Sequence, residues 1–259
     1  MAELSQTERQ DWLAALAVQW RRAPDALPDL REGVSRDSRD LVSQELREVA
    51  RGCRLPLAAS IQKQLGPFDP EHLRALLEVP RERFVRADDV ERSAEDTPLP
   101  LDDQGLSTIS APHAYVLSFR LAALAPGDAL VELGSGSGYG AALAAFIVGP
   151  GGSVLTFEID PSLAGWAGRT LADQPNAHVV CADAVSSAPR WGRAQKVICT
   201  FAVEALPEAW TAALPEGGRL VAPVGPRDEQ RLVLVQRQRG AIVRTEHGAV
   251  RYVVNRSGR

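Results

Sequence analysis

Residues 130–139 read Leu-Val-Glu-Leu-Gly-Ser-Gly-Ser-Gly-Tyr, and this stretch predicts the fold of the chain. An apolar strand carries an acidic residue, Glu132, and three glycines follow at alternate positions, Gly134, Gly136 and Gly138, before an apolar helical pattern. Glycine lets the backbone approach a ligand closely, and the first turn of a helix offers unpaired N–H groups. A strand, a glycine turn and a helix in this order are therefore typical of a nucleotide-type binding loop, although a tight turn without a ligand would also fit.

The spacing of the glycines distinguishes two classes of ligand. The dehydrogenase pattern G-x-G-x-x-G, started at Gly134, would place its third glycine at Tyr139. The chain has instead an acidic residue followed by x-G-x-G-x-G, which resembles the first motif of class I S-adenosylmethionine methyltransferases. The resemblance implies S-adenosyl-L-methionine as the cofactor, and the glycine spacing disfavours a dehydrogenase.

Further apolar runs predict strands, and helical patterns lie between them. The predicted strands are 154–157, 178–181, 196–200 and 218–224, and the predicted helices include 161–171 and 207–214. Alternating strands and helices indicate βαβ units and a parallel sheet. With the methyltransferase resemblance, the expected fold class is α/β, with a doubly wound, mostly parallel seven-stranded sheet, Rossmann-like, and a helical N-terminal extension.

Acidic side chains stand at the predicted carboxyl ends of three strands, Glu132, Glu158 and Asp183. Ligands of open α/β sheets bind at this edge, and a carboxylate after the second strand commonly holds a ribose diol. In methyltransferases, the position of Asp183 receives the adenine amino group. Each carboxylate alone could be an ordinary solvated strand end, but their common register with the glycines favours a binding site.

Motifs on both sides of the glycine loop narrow the resemblance to one family. They are Val-Pro-Arg-Glu-Arg-Phe-Val at 79–85, Glu-Asp-Thr-Pro-Leu-Pro at 95–100, Thr-Ile-Ser-Ala-Pro-His at 108–113 and Gly-Gly-Arg-Leu-Val-Ala-Pro-Val-Gly at 217–225. This ordered set resembles the protein-L-isoaspartate (D-aspartate) O-methyltransferase family over roughly residues 55–259. The resemblance implies transfer of a methyl group to the carboxylate of an isoaspartyl residue in a protein or peptide, the first step of its repair.

The resemblance also assigns the site residues. Ser110 matches the family's active-site serine, and Thr108 of the same motif is predicted to be catalytic with it. The residues expected to bind the cofactor are Pro112, His113, Glu132, Gly134, Ser135, Gly136, Gly138, Glu158, Ile159, Asp183, Ala184 and Gln230. Three of these residues also have simpler interpretations. Ser110 before Ala-Pro is a good helix N-cap, and we expect it to have this role in addition to its catalytic one. His113 could be an ordinary helix-surface histidine, and Gln230 could be a turn residue.

Carboxyl methylation needs little from side-chain chemistry. A carboxyl group with a pKa near 4 is ionised at neutral pH, so no general base is required. The enzyme's task is then to align the reacting atoms and to exclude water. No metal site is predicted, because the four histidines are scattered and the cysteines form no ligand pair.

Composition limits the partners and the location. The 259-residue chain has a formal net charge of −4, which implies no bulk affinity for nucleic acid or for an anionic membrane. Its three cysteines are widely spaced, as expected in a reducing compartment, and neither a signal peptide nor an apolar spanning segment is visible. We therefore expect a cytoplasmic protein with a peptide or protein substrate; its oligomeric state stays open, a monomer included.

Residues 1–54 are predicted to form a helical extension, and residues 55–259 the methyltransferase domain. The helical spacing of Trp12, Leu13, Leu16 and Trp20 predicts a first helix, and a second helix is expected at 38–51. The extension could simply pack against the catalytic domain. It could also serve as a lid, a dimer contact or a grip on a peptide substrate.

The segments around the acceptor depart from the family pattern. The link before the Thr-Ile-Ser motif is longer and doubly acidic, with Asp102 and Asp103, and the end of the fourth strand carries Phe201 instead of a small residue. We expect the two carboxylates to disfavour acidic acceptors. Three alternatives therefore remain open for the function. The protein could be a general isoaspartyl repair enzyme or a dedicated aspartate O-methyltransferase that tailors one peptide. It could also be a non-catalytic adaptor that binds cofactor or peptide.

Overall fold

The computed structural model describes residues 51–52 and 54–257. Residues 51–52 and 54–65 are helical, and we call the helix at 54–65 α1. Trp12, Trp20 and nearly all of the helix expected at 38–51 lie outside the described residues. The division of the chain at residue 54 therefore stays a prediction.

A seven-stranded sheet forms the centre of the described chain. Its strands are β3 (Ala129–Leu133), β4 (Ser153–Glu158), β5 (Ala177–Cys181), β6 (Lys196–Cys199), β7 (Arg219–Val224), β8 (Arg231–Gln238) and β9 (Ala241–Ala249). Two short strands outside it, β1 (Leu99–Pro100) and β2 (Thr108–Ile109), pair antiparallel.

The order of the strands is β5-β4-β3-β6-β7-β8-β9. Strands β5, β4, β3, β6 and β7 are parallel neighbours, whereas β8 and β9 are added antiparallel. The predicted mostly parallel, seven-stranded sheet is therefore confirmed, although the sequence pattern did not locate its last two strands. The chain leaves β3 toward β4 and later returns to β6 on the opposite side, which opens a crevice at the carboxyl end of β3.

Helices cover both faces of the sheet. They are α2 (Pro70–Glu78), α3 (Pro112–Ala122), α4 (Tyr139–Val148), α5 (Pro161–Thr170) and α6 (Glu208–Ala213). Alternate residues of β3 point into different cores: Leu130 packs with α3 and α4, and Val131 packs with Trp191 and Trp210. A strand that buries both faces needs apolar residues at successive positions, which explains the continuous apolar runs in the sequence.

Local sequence sets several of the helix boundaries. Asp69 accepts the backbone N–H of Glu71 at 2.8 Å and precedes Pro70, so α2 begins where its sequence predicts. Asp160 caps α5 in the same way, with Pro161 in the first turn. Among the described residues, no helix is long and apolar enough to cross a membrane.

Candidate active site

The loop between β3 and α4 depends on glycine for its shape. Gly134, Gly136 and Gly138 all have positive φ, at 96°, 53° and 95°. A Cβ atom on Gly134 would collide with Thr200 Oγ1 and contact the ring of Phe201. Side chains are therefore excluded here both by backbone conformation and by space.

Glu158 joins this loop to the end of β4. Its Oε2 accepts the N–H of Gly136 at 2.8 Å, and its Oε1 accepts the N–H of Asp160 at 3.1 Å. Burial raises the pKa of Glu158, and these backbone hydrogen bonds oppose the shift. The carboxylate is thus held rigidly at the edge of the crevice, with lone pairs left for a ligand diol.

A cleft with about 670 Å³ of empty space, its open mouth included, lies over the carboxyl ends of the strands; we call it the first cavity. Most of the predicted site residues line it. They are Thr108, Ser110, Gly134, Ser135, Gly136, Glu158, Ile159, Asp183 and Ala184. Residues far apart in sequence, from β2 to the loop after β5, therefore meet in one cavity.

Two residues predicted to bind the cofactor contribute instead to the structure around the glycine loop. Glu132 is buried, accepts the Thr156 hydroxyl at 2.7 Å and packs so closely against α4 that a side chain at Gly140 would strike it. Burial raises the pKa of Glu132 to about 8. Gly138 is the N-cap of α4. Neither residue lines the first cavity, so a direct contact from either stays a prediction.

Gln230 does not line the first cavity either. Its side-chain oxygen accepts the N–H of Tyr252 at 2.6 Å, and its Nε2 donates to the Tyr252 carbonyl at 3.0 Å. Gln230 therefore holds the C-terminal segment, which lines the cavity from Val253 onward.

The first cavity contains buried hydroxyl groups that have no protein partner. Ser135 Oγ and Ser137 Oγ are buried and make no hydrogen bond in the described chain. Both residues line the cavity beside the glycine loop. Because an unpaired buried hydroxyl is costly, these atoms fit a ligand that brings its own polar groups, such as the amino-acid part or the ribose of S-adenosylmethionine.

A second cavity adjoins the first. It lies between the start of α3 and the C-terminal segment. Its empty space is about 800 Å³, with the open mouth included. Thr108, Ser110, Thr200 and Val253 belong to the walls of both cavities. The predicted active-site serine therefore stands where the two cavities meet.

The start of α3 corrects one expectation. Ser110 is not the N-cap: Ala111 holds that position without a side-chain hydrogen bond, and Pro112 follows it in the first turn. Asp96 instead accepts the N–H of His113 at 2.9 Å, and its oxygens lie 3.0 Å from His113 Nδ1. Since a distant carboxylate satisfies the helix end, the Ser110 side chain is not needed as its cap.

Pro112 and His113, at the start of α3, do not line the first cavity. His113 lines the second cavity, and Pro112 is buried at the start of α3. Burial raises the pKa of Asp96, but the hydrogen bonds and charge of His113 outweigh that effect and hold it below its ordinary value. His113 is therefore a paired residue at the cavity wall, not an isolated surface histidine.

Three residues of the site were not found by sequence reasoning. Thr200 donates its hydroxyl to the carbonyl of Gly134 at 2.6 Å, which ties β6 to the glycine loop. Ser257 donates to Asp183 Oδ1 at 2.6 Å, and Arg256 lies 4.0 Å from Glu158. The C-terminal segment thus contacts both carboxylates expected to hold the ribose and the adenine; no local motif in the sequence signals these long-range contacts.

The acidic link before β2 has partners of its own. Asp102 Oδ1 accepts the N–H groups of Gln104 and Leu106, at 3.0 and 2.9 Å. Asp103 pairs with Arg86 at 2.6 Å. Neither carboxylate lines either cavity, so the structure does not support their expected repulsion of acidic acceptors.

The doubly wound sheet, the glycine loop and the strand-end carboxylates define the class: the chain is an S-adenosylmethionine-dependent methyltransferase. Comparison with known proteins identifies the family within that class. Residues 60–259 match the family described as protein-L-isoaspartate(D-aspartate) O-methyltransferase, and the chain belongs to it.

Individual relatives agree with this assignment. A protein-L-isoaspartate O-methyltransferase from Methanospirillum hungatei is 37% identical over 190 residues, which are 73% of this chain and 86% of that protein. One from Methanopyrus kandleri is 37% identical over 183 residues, covering 69% and 80%. A solved protein-L-isoaspartate O-methyltransferase superposes with a TM-score of 0.71 at 27% identity; the match covers 78% of this chain and 65% of that one.

Proposed function

We propose that this enzyme methylates a peptide carboxylate that enters the second cavity, while S-adenosylmethionine occupies the first. The observation that carries the proposal is the shared wall of the two cavities, in which Thr108 and Ser110 stand beside Thr200 and Val253. A group transferred from one cavity to the other must pass this wall. This shared wall supports a contact between the serine and the acceptor at the point of transfer.

The chain's own residues bind, orient and exclude water. Bound S-adenosylmethionine supplies an activated sulfonium methyl group. The acceptor carboxylate is already ionised at neutral pH, so the site needs no base. The Ser110 hydroxyl can donate a hydrogen bond to one carboxylate oxygen and so orient the other toward the first cavity.

The charges of the second cavity suit an anionic acceptor. Arg251 lines it, is exposed and has no hydrogen-bond or ion-pair partner among the described residues. His113, on the opposite side, is paired with Asp96. Arg251 is thus a free guanidinium at the entrance used by the peptide, and it favours negative charge near the acceptor.

Family membership supports an isoaspartyl residue as the acceptor. The test is methyl transfer to an isoaspartyl peptide and to its normal aspartyl twin of identical sequence. We expect methylation of the isoaspartyl peptide only, across peptides with unrelated flanking residues. Methylation of the aspartyl twin would instead indicate a tailoring enzyme, and binding without transfer to either peptide would indicate an adaptor.

The cytoplasmic location stays a prediction, and the oligomeric state stays open, a monomer included. Separate titrations with S-adenosylhomocysteine and NAD would test the assignment of the first cavity. We expect heat of binding with S-adenosylhomocysteine alone; binding of NAD would contradict the proposed cofactor.

A further inference from the structure

Ser110 has an unusual backbone environment, because both of its peptide groups are bonded to side chains. Its N–H donates to the hydroxyl oxygen of Tyr115 at 3.3 Å. Its carbonyl accepts from Nη2 of Arg81 at 3.1 Å. The short pairing of β2 has ended one residue earlier, at Ile109. The orientation of the serine is therefore set by side chains rather than by a strand ladder or a helix.

Arg81 makes four such bonds, all to carbonyl oxygens. Besides the carbonyl of Ser110, its guanidinium donates to the carbonyls of Ser93 at 3.2 Å, Glu95 at 2.9 Å and Thr97 at 2.7 Å. The planar fork of one side chain thus joins the segment 93–97 to the active-site serine.

The environment of Arg81 is costly for a cation. The residue is 1% exposed, and burial lowers its pKa. No carboxylate of the described chain forms an ion pair with it. The ring of Tyr139 lies 5.9 Å from its guanidinium carbon. Carbonyls and an aromatic face contact this buried charge, and the carboxylates of Asp96 and Glu95 favour it from farther away. The arrangement therefore differs from an ordinary buried salt bridge, in which the two charges are in direct contact.

Arg54 provides the internal comparison. It is also buried, but it pairs with the carboxylate of Glu82 at 3.0 Å and donates to the carbonyl of Leu77 at 2.8 Å. None of its hydrogen bonds reaches the serine or the segment 93–97. Both arginines are therefore buried and hydrogen-bonded within the fold, but only Arg81 is bonded to Ser110.

A second bond fixes the other side of the serine. Asp96, in the middle of the segment held by Arg81, accepts the N–H of His113 three residues after Ser110. The segment 93–97 is thus fastened both at Ser110 and at the first turn of α3. A displacement of this segment would move the serine relative to both cavities.

We propose that Arg81 is a positioning residue for methyl transfer, which holds the Ser110 hydroxyl in line with the acceptor. This inference rests on the proposed function, in which Ser110 contacts the acceptor carboxylate. Lysine at position 81 would retain the charge, but one ammonium group cannot reproduce the planar fork that reaches four carbonyls. The serine would then lose its fixed orientation, and small misplacements at a reacting centre are costly.

The test is a double-mutant cycle of Arg81→Lys and Ser110→Ala, measured with an isoaspartyl peptide. We expect Ser110→Ala to lower kcat about ten-fold or more. We expect Arg81→Lys to lower kcat about ten-fold in the wild-type background and less than about two-fold in the Ser110→Ala background, because the group it positions is then absent. The affinity for S-adenosylhomocysteine, measured by calorimetry, should remain near wild type in all variants.

Arg54→Lys is the matched control. It should lower the melting temperature, and any change in kcat should be the same with and without the serine. Tyr115→Phe removes the other side-chain partner of Ser110 with little change of shape. It should couple to Ser110→Ala as Arg81→Lys does, and it serves the same cycle if Arg81→Lys does not fold.

The outcomes separate the inference from the function on which it rests. If Arg81→Lys changes kcat by the same factor in the wild-type and Ser110→Ala backgrounds, the positioning role is overturned. If Tyr115→Phe has to replace Arg81→Lys, an equal change of kcat in the two backgrounds overturns the role in the same way. An unchanged kcat in Ser110→Ala alone would reject the serine as an acceptor contact, and the positioning role with it, before any double variant is made.

Discussion

The two sides of the active site are built in different ways. On the cofactor side, a strand, a glycine loop and a helix follow each other in the chain, and the loop N–H groups of Gly134 and Ser135 bond directly to the carbonyl of Phe157 at the end of the neighbouring strand. On the acceptor side, Arg81, Asp96 and Gln230 connect segments that are distant in sequence. The first side is built mainly on backbone geometry, which Glu158 and Thr200 reinforce with hydrogen bonds to the loop. The second side depends on individual side chains throughout.

This difference predicts how each side responds to substitution. A changed backbone conformation in the glycine loop should abolish the cofactor site as a unit. A changed side chain on the acceptor side should loosen one segment and leave the cofactor bound. The five substitutions below test this division.

Gly134→Ala tests the backbone side most directly. The positive φ at Gly134 costs about 1–3 kcal/mol for a residue with a side chain, and the added methyl would strike Thr200 and Phe201. We expect the affinity for S-adenosylhomocysteine to fall by about 100-fold or more, measured by calorimetry, since the loop must shift. Gly151→Ala is the control, because that position has open space and no positive φ. Wild-type affinity in Gly134→Ala would contradict the division.

Glu132, at the glycine loop, is expected to make the stability of the protein depend on pH. Its carboxyl has an ordinary pKa of 4.5 and a pKa of about 8 when buried. Between pH 4.5 and pH 8 the folded state keeps a proton that the unfolded state has lost. The contribution of this proton to folding stability is therefore complete below pH 4.5 and is lost as the pH rises through 8. We expect the free energy of unfolding to fall by up to about 1.4 kcal/mol per pH unit over this range.

Urea unfolding of wild type and Glu132→Gln between pH 5 and 8 measures this effect. The glutamine variant should lose most of the slope and become the more stable protein at pH 8. Burial also raises the pKa of Glu158, so a smaller slope of the same sign should remain. Parallel curves for the two proteins would show that Glu132 is ionised in the folded state.

Glu158→Ala tests the ribose contact. Removal of a carboxylate that makes two charge-assisted hydrogen bonds should cost roughly 2–4 kcal/mol of binding free energy for S-adenosylhomocysteine. Asp160→Asn is the matched control: its side chain can still cap α5, and its carboxylate lies close to the same Arg256. An affinity that drops equally in both variants would assign the effect to local charge rather than to Glu158.

Arg251→Ala tests the acceptor side. We expect the KM for an isoaspartyl peptide with acidic flanking residues to rise about 3–10-fold at low salt, corresponding to about 1 kcal/mol, with a smaller change at high salt and no change in cofactor affinity. Arg244→Ala on β9 is the control, since Arg244 is exposed and lines neither cavity. An unchanged KM in Arg251→Ala would show that the charge of Arg251 does not contribute to peptide binding.

Asp103→Asn should have the smallest effect. Asp103 is 88% exposed, and its ion pair with Arg86 is at the surface. Such pairs contribute about 0–1 kcal/mol to stability, so melting and methylation of acidic-flanked peptides should both remain close to wild type. A marked gain of activity on acidic peptides would restore the interpretation in which the link repels them.

The glycine loop, the strand-end positions of Glu158 and Asp183 and the mostly parallel character of the sheet could all be read from the sequence. These features are readable because each is a short run whose residues act through local backbone geometry, and because parallel strands bring their carboxyl ends to one edge. The helix cap at Asp69 is local in the same way, because Asp-Pro combines a capping side chain with a proline in the first turn. Ser110 was recognised by its motif, yet its expected capping role was wrong, because a residue distant in sequence, Asp96, takes that role.

The sequence did not reveal the contacts that tie distant segments together around the two cavities. These ties are the bonds of Arg81 to four carbonyls, the pairing of Asp96 with His113, the hold of Gln230 on Tyr252 and the contact of Ser257 with Asp183. The groups that they join lie 12 to 74 residues apart in the chain. Their partners are chosen by packing in three dimensions, where a hydrogen bond depends on distances of about 3 Å that no spacing in the sequence encodes.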